Sequence, residues 1–161
     1  DYRLKAARKM KATHAVNVTD GDPVAAVREI TDGLGADIVV EAVGHQVETV
    51  HLAIALAKKH GTVLAFGVPD DKFYPLPVWD LMIENIRFIS SIHPQVERDL
   101  PLALAMILEG RMDVSPIITH RFSFEQSQAA FELAVERQGN PIKVLLKSDT
   151  ASWEKQPELK L

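Results

Sequence analysis

Apolar positions along the chain recur with two alternating periods. Leu4, Ala7 and Met10 fall on one helical face, with Arg and Lys elsewhere, which predicts a helix over 2–10. The run THAVNV, 13–18, predicts a short strand. In the stretch that follows, Asp22 is placed as an N-cap and Pro23 at the first helical position. Val24, Val27 and Ile30 share a face, and Gly33 or Gly35 ends that helix. ADIVVEAV, 36–43, is a continuous apolar run, the pattern of a strand buried on both faces. A helix over 45–61 would turn Val47, Val50, Ile54 and Leu56 inward. Lys58, Lys59 and His60 would complement its negative end, and Gly61 would stop it. Strands are expected at 62–68 and 87–92, a loop at 69–78, and helices at 79–86 and 97–112.

From residue 2 to residue 110 the expected order is therefore α-β-α-β-α-β-α-β-α. Strands alternating with helices of this length imply right-handed crossovers and a mainly parallel sheet, an α/β fold. The segment 115–148 reads as strand, helix, strand, with KVLL, 143–146, as its last strand. Residues 149–161 lose periodicity and read as a surface tail.

Composition narrows the function classes. The 161 residues are 47% hydrophobic and 25% charged, the balance of a globular chain. The net charge of −4 gives no footprint for nucleic acid or an anionic membrane. No window approaches a membrane span, so no membrane partner is expected. The basic start has no apolar core of a signal peptide, and a cytoplasmic location is the expectation. Cysteine is absent, which removes disulfides, thiolate zinc ligands and cysteine nucleophiles from this chain. The first residue is Asp, one position from a helical pattern, so a piece of a longer chain is expected.

In an open parallel sheet, ligands sit at the carboxyl ends of the strands. Three such ends stand out: EAVG at 41–44, FGV at 66–68 and SSIH at 90–93. Glycine at two of them permits a close approach of backbone to a ligand, and also makes an ordinary tight turn. Glu41 ends an otherwise apolar run, and is read as partnered or as a rim residue, not a catalytic acid. The six histidines show no metal-ligand spacing, and His93 is the best placed of them for function. Ser90 and Ser91 lack a G-x-S-x-G elbow, and the chain contains neither G-x-G-x-x-G nor a Walker A motif. Motifs alone leave an α/β domain with a nucleotide rim as one reading.

A resemblance extends this. The ordered segments YRLKAARKMKATHAVNV, ITDGLGADIVVEAVG, GTVLAFGVP, RFISSI, ILEGRMDVSPIITHRFSFEQSQAAFE and KVLL, over about residues 2–147, resemble the C-terminal, cofactor-domain half of a medium-chain, zinc-type alcohol or polyol dehydrogenase. The resemblance implies an incomplete Rossmann-like domain for NAD or NADP at 1–112, and a segment at 113–148 returning to the catalytic domain. It implies that Arg3 meets the adenosine ribose and that Val43, Gly44 and His45 line the adenosine side. Phe66, Gly67 and Val68 would lie beside the nicotinamide, and Ser91 and His93 at the strand end that grips the carboxamide. It implies catalytic zinc held by residues outside this chain, a small alcohol substrate, and no catalytic or metal-ligating residue within it. A homo-oligomer through Phe73–Val78 and Arg87–Ile92 is implied as well.

The departures carry their own expectations. The family's Gly-rich first turn and its NAD-or-NADP selector both lie before Arg3. Lys11 stands where the family has glycine, so an adjusted turn is expected there. In the strand order 3-2-1-4-5-6, the strand at 13–18 would have no neighbour. The chain alone is then expected to be marginal, re-paired or oligomeric, and inactive, with the dehydrogenase activity expected of the full-length protein. Two rivals remain: a zinc-independent quinone reductase of the same superfamily, and a non-catalytic nucleotide-binding or oligomerisation module.

Overall fold

The computed structural model describes residues 2–147. Their contacts divide them into two compact units, Val16–Pro94 and a second unit formed by residues 2–15 with 95–147.

In the first unit, α2 (Pro23–Ile30) starts as expected. The Asp22 side chain accepts a hydrogen bond from the Val24 amide at 2.9 Å, with Pro23 at the first turn. The strands β1 (Ala36–Glu41), β2 (Ala57–Ala65) and β3 (Arg87–Ser90) pair in that order, and both pairings are parallel. The α/β reading and its parallel sheet therefore hold. α3 (Val47–Leu56) crosses from β1 to β2, and α4 (Val78–Ile83) precedes β3. Val50, Ala53 and Ile54 of α3 pack on Ala57 and the fully enclosed Val63 of β2. Val39, Tyr74, Leu76, Leu81, Ile86 and Phe88 complete this core.

Three expectations are corrected. The helix expected over 45–61 ends at Leu56, and Ala57–His60 belong to β2. The reason is tertiary. Gly35, at φ +89, lets its backbone approach until an added Cβ would lie 2.9 Å from the Leu56 carbonyl. Ala57 then pairs with Ala36. Lys58 forms an ion pair with Asp37, which lowers the Asp37 pKa, so Lys58 does not serve the helix end. β2 advances from Ala57 to Thr62 while β1 advances only from Ala36 to Ile38, and His60, at φ +60, sits in that irregularity. Second, β1 is not buried on both faces: Ile38 and Val40 are 67% and 55% exposed. β1 is an edge strand, and only its Val39 face is packed against the core. Third, residues 14–17 form no strand. A run of β-formers becomes a strand only with a neighbour to take its backbone bonds.

The second unit contains α1 (Tyr2–Lys9), α5 (Val96–Leu108), β4 (Ile118–Ser123), α6 (Ser127–Glu136) and β5 (Lys143–Lys147). β4 and β5 pair in parallel across α6, the strand-helix-strand expected. Ser123 and Gln126 form a capping box before α6, with the Ser123 amide donating to Gln126 Oε1 at 3.1 Å. α1 is shorter than expected, and Met10 lies beyond it, exposed. The strand prediction at 87–92 and the helix at 97–112 shorten similarly, while residues 149–161 lie outside the described residues. No helix among the described residues is long and apolar enough to cross a membrane.

Lys11 corrects another expectation. The turn has not adjusted to avoid a left-handed residue, because Lys11 itself adopts φ +68. Its amide donates to the Arg8 carbonyl at 3.0 Å, and the Ala12 amide to that of Ala7 at 3.0 Å. That is a Schellman ending built on a residue with a Cβ. The left-handed conformation costs a side-chain-bearing residue about 1 kcal/mol. Lys11→Gly is therefore expected to stabilise the chain by about 0.5–1 kcal/mol, after the added chain entropy of glycine. Urea unfolding midpoints measure this, and an unchanged or lower midpoint contradicts it.

Candidate functional site

The carboxyl ends of β1, β2 and β3 lie on one rim of the first unit, and a cavity of about 560 Å³ opens there. That volume is within the range of small-molecule sites. Gly44, Phe66 and Gly67 line it from the turns after β1 and β2, and Ser91 and His93 from the segment after β3. Val50, Tyr74, Leu76 and Phe88 supply apolar walls, while Asp71 and Lys72 bring charge from the loop.

Of the residues singled out in the sequence, Gly44, Phe66, Gly67, Ser91 and His93 are thus brought together. Val43, His45 and Val68 belong to the same turns but do not line the cavity. Val43 is exposed, the His45 ring pairs with Asp70, and the His45 amide donates to the Val68 carbonyl at 2.9 Å. Arg3 lies on α1 in the other unit, where its Nε donates to the Tyr2 hydroxyl at 3.1 Å.

The residue that binds this rim together is Glu41, the last of β1 and only 4% exposed. It is not a rim residue in the solvent-facing sense, but the other expectation, that it is partnered, is met. Its Oε1 accepts from the Val43 amide at 2.8 Å and the Gly44 amide at 3.0 Å. Its main-chain carbonyl accepts from the Phe66 amide at 2.8 Å and the Gly67 amide at 2.9 Å. One residue therefore fastens its own turn and the turn after β2. Glycine is required where the turns meet. A Cβ on Gly44, which is at φ +68, would lie 2.6 Å from Val68 N and O. A Cβ on Gly67 would lie 2.7 Å from Gly44 Cα.

Burial is the largest influence on the Glu41 carboxyl and opposes ionisation. The Gly44 and Val43 amides, with smaller help from the Thr49 hydroxyl and the Gly67 amide, outweigh it and hold the pKa below its ordinary value. Oε2 completes no hydrogen bond. The Gly67 amide is committed to the Glu41 carbonyl, and the Thr49 hydroxyl to the Gln46 carbonyl at 2.9 Å.

Sequence reading missed Tyr74, Leu76 and Phe88 as walls of the site. A signal existed: in FYPLP, Phe73 and Tyr74 alternate out and in, with Phe73 85% exposed and Tyr74 packed on the core. Tyr74 also anchors its loop, its hydroxyl accepting from the Asp70 amide at 2.9 Å. A metal does not fit the residues here. The chain has no cysteine, and no three His, Asp or Glu side chains come together among the described residues.

Two outcomes follow from this geometry. Gly67→Ala is expected to destabilise the chain by roughly 1–3 kcal/mol, the range for an overpacked site, with no φ penalty involved. Thermal or urea unfolding reads this, and a loss below 0.5 kcal/mol on the scale of ordinary surface changes, about that size, contradicts it. The second concerns pH. Because the folded pKa of Glu41 is lowered, its contribution to stability is fully present above the ordinary value of 4.5 and is lost as pH falls through the lower folded value. The stability difference between the wild type and Glu41→Gln is therefore expected to narrow as pH drops below that ordinary value. A difference independent of pH contradicts the assignment.

Comparison with known proteins agrees with this architecture. The family model described as zinc-binding dehydrogenase matches residues 1–109. D-arabitol-phosphate dehydrogenase from Enterococcus avium is 30% identical over 148 residues, 92% of this chain and 41% of that protein. The solved structure of the alcohol dehydrogenase TADH from Thermus sp. ATN1 superposes with a TM-score of 0.82 at 28% identity, covering 91% of this chain and 42% of that one. A Sinorhizobium meliloti 1021 protein bound to NADP superposes with a TM-score of 0.74 at 26% identity, covering 89% and 42%. The chain thus spans about two fifths of the length of these relatives. It belongs to the zinc-binding dehydrogenase family of oxidoreductases and corresponds to the C-terminal, cofactor-binding region of the zinc-type medium-chain members.

Proposed function

We propose that this chain is the nicotinamide-binding part of an NAD(P)-dependent dehydrogenase acting on an alcohol or polyol. The observation that carries the reading is the cavity at the three parallel strand ends, where Gly44, Phe66, Gly67, Ser91 and His93 converge. Its walls are apolar and its polar groups few, which suits a planar ring with one polar substituent. The close approach of glycine backbones leaves room for such a ring against main chain rather than side chains. Support for the substrate class comes from the polyol-phosphate and alcohol dehydrogenases among the relatives, and for the cofactor from the relative bound to NADP.

In this reading the cofactor supplies the hydride chemistry when bound. Phe66 and Gly67 would hold one side of the nicotinamide, with Gly44, which the resemblance put on the adenosine side, beside them in the same cavity, and Ser91 and His93 would orient its carboxamide. Zinc, if used by the whole protein, is held by residues other than those described here. Titration with NADH, followed by the amide resonances of Gly44, Gly67 and Ser91, tests the site. Saturable shifts confined to the three strand ends are expected. The dissociation constant is expected to be well above micromolar, because these residues include no glycine-rich phosphate-binding turn. No shift at these amides up to millimolar NADH contradicts the reading.

A further inference from the structure

We propose that Glu41 sets which redox form of the nicotinamide this site holds, favouring the oxidised, cationic ring over the reduced, neutral one. The inference rests on the cofactor reading above and goes beyond it to a buried residue to which that reading gives no role. Glu41 lines the floor of the cavity and is 4% exposed. One carboxylate oxygen is held by the Val43 and Gly44 amides, and the other completes no hydrogen bond. That second oxygen stands where a side chain on Gly67 would be, directly behind the backbone that lines the cavity.

A buried carboxylate kept ionised by two backbone amides is a fixed negative charge, and its field at the effective dielectric constant of a protein site, about 20, still reaches a ring in the cavity. Its amide partners are dipoles, not cations, so the net charge is not cancelled. Of the remaining ionisable groups on the cavity wall, Asp71 and Lys72 oppose one another, and His93 is exposed. The oxidised nicotinamide ring carries one positive charge, and its reduced form carries none. The rest of the dinucleotide is identical in the two forms, so its contacts cancel in the ratio of their dissociation constants. What remains is the interaction of the ring charge with the field of the site, in which Glu41 is the buried member.

The test compares NAD and NADH on the wild-type chain and on Glu41→Gln, using amide shifts of Gly67 and Ser91. The expected result is that Glu41→Gln raises the ratio Kd(NAD)/Kd(NADH) by about threefold to tenfold, the size of one charge acting through several ångströms of protein. The change is expected to persist at high salt, because a buried charge is screened less than Asp71 or Lys72. A purely structural role for Glu41 would weaken both forms alike and leave the ratio unmoved, and that result overturns the proposal while leaving the cofactor reading intact. No binding of either form to the wild type overturns the cofactor reading, and this proposal with it. Should Glu41→Gln fail to fold, the wild type alone decides. The 1-methylnicotinamide cation is then expected to shift the Gly67 and Ser91 amides at lower concentration than neutral nicotinamide, and equal or reversed affinities overturn the proposal.

Discussion

The site depends on one carboxylate placed where two backbone turns meet. A buried, ionised glutamate is costly unless its charge is met by hydrogen bonds. At Glu41 the cost is offset locally, because the turn it begins presents two amides that would otherwise be orphaned at the end of a strand. The arrangement is reciprocal. The amides keep the carboxyl ionised, and the carboxylate keeps the turn closed. The Glu41 carbonyl then extends the hold to the neighbouring strand through Phe66 and Gly67. Gly44 and Gly67 are consequences of this closure, since no side chain fits between the two turns.

Much of this was legible in the sequence, and the reasons are physical. Strand ends that finish in glycine announce close backbone contact, so EAVG and FGV marked the rim correctly. SSIH marked the third end through its place after an apolar run. What could not be read was anything decided by a partner distant in sequence. Ala57–His60 carry acceptable helix formers, yet the approach of Gly35 and the pairing of Ala36 with Ala57 turn them into strand. THAVNV has strong β-propensity, but propensity without a neighbouring ladder leaves it irregular. Glu41 was visible as an anomaly in an apolar run, while its role required knowing that Val43 and Gly44 would curl back onto it.

Exposure along β1 follows the same logic. Ile38 and Val40 point away from α3, and the apolar run that suggested a doubly buried strand is packed on one face only. Apolar side chains on α5, including Leu100, Leu102 and Leu104, are likewise more than half exposed. The chain spans about two fifths of the length of its relatives.

Under the proposed function, the hydrogen-bond inventory of the rim favours one end of a dinucleotide over the other. The Val43 and Gly44 amides are spent on the Glu41 carboxylate, those of Phe66 and Gly67 on its carbonyl, that of His45 on Val68, and that of Ser91 on the Ala65 carbonyl at 3.2 Å. A phosphate needs donors, usually several amides at a helix start or a glycine-rich turn. These turns have none of those named amides left to give, and a carboxylate already occupies the place an anion would take. The rim is therefore unsuited to the pyrophosphate and suited to a group that needs little from backbone donors and tolerates a negative floor. A nicotinamide ring, the proposed occupant, would meet both conditions, with the internal anion that closes the turns limiting what they could hold.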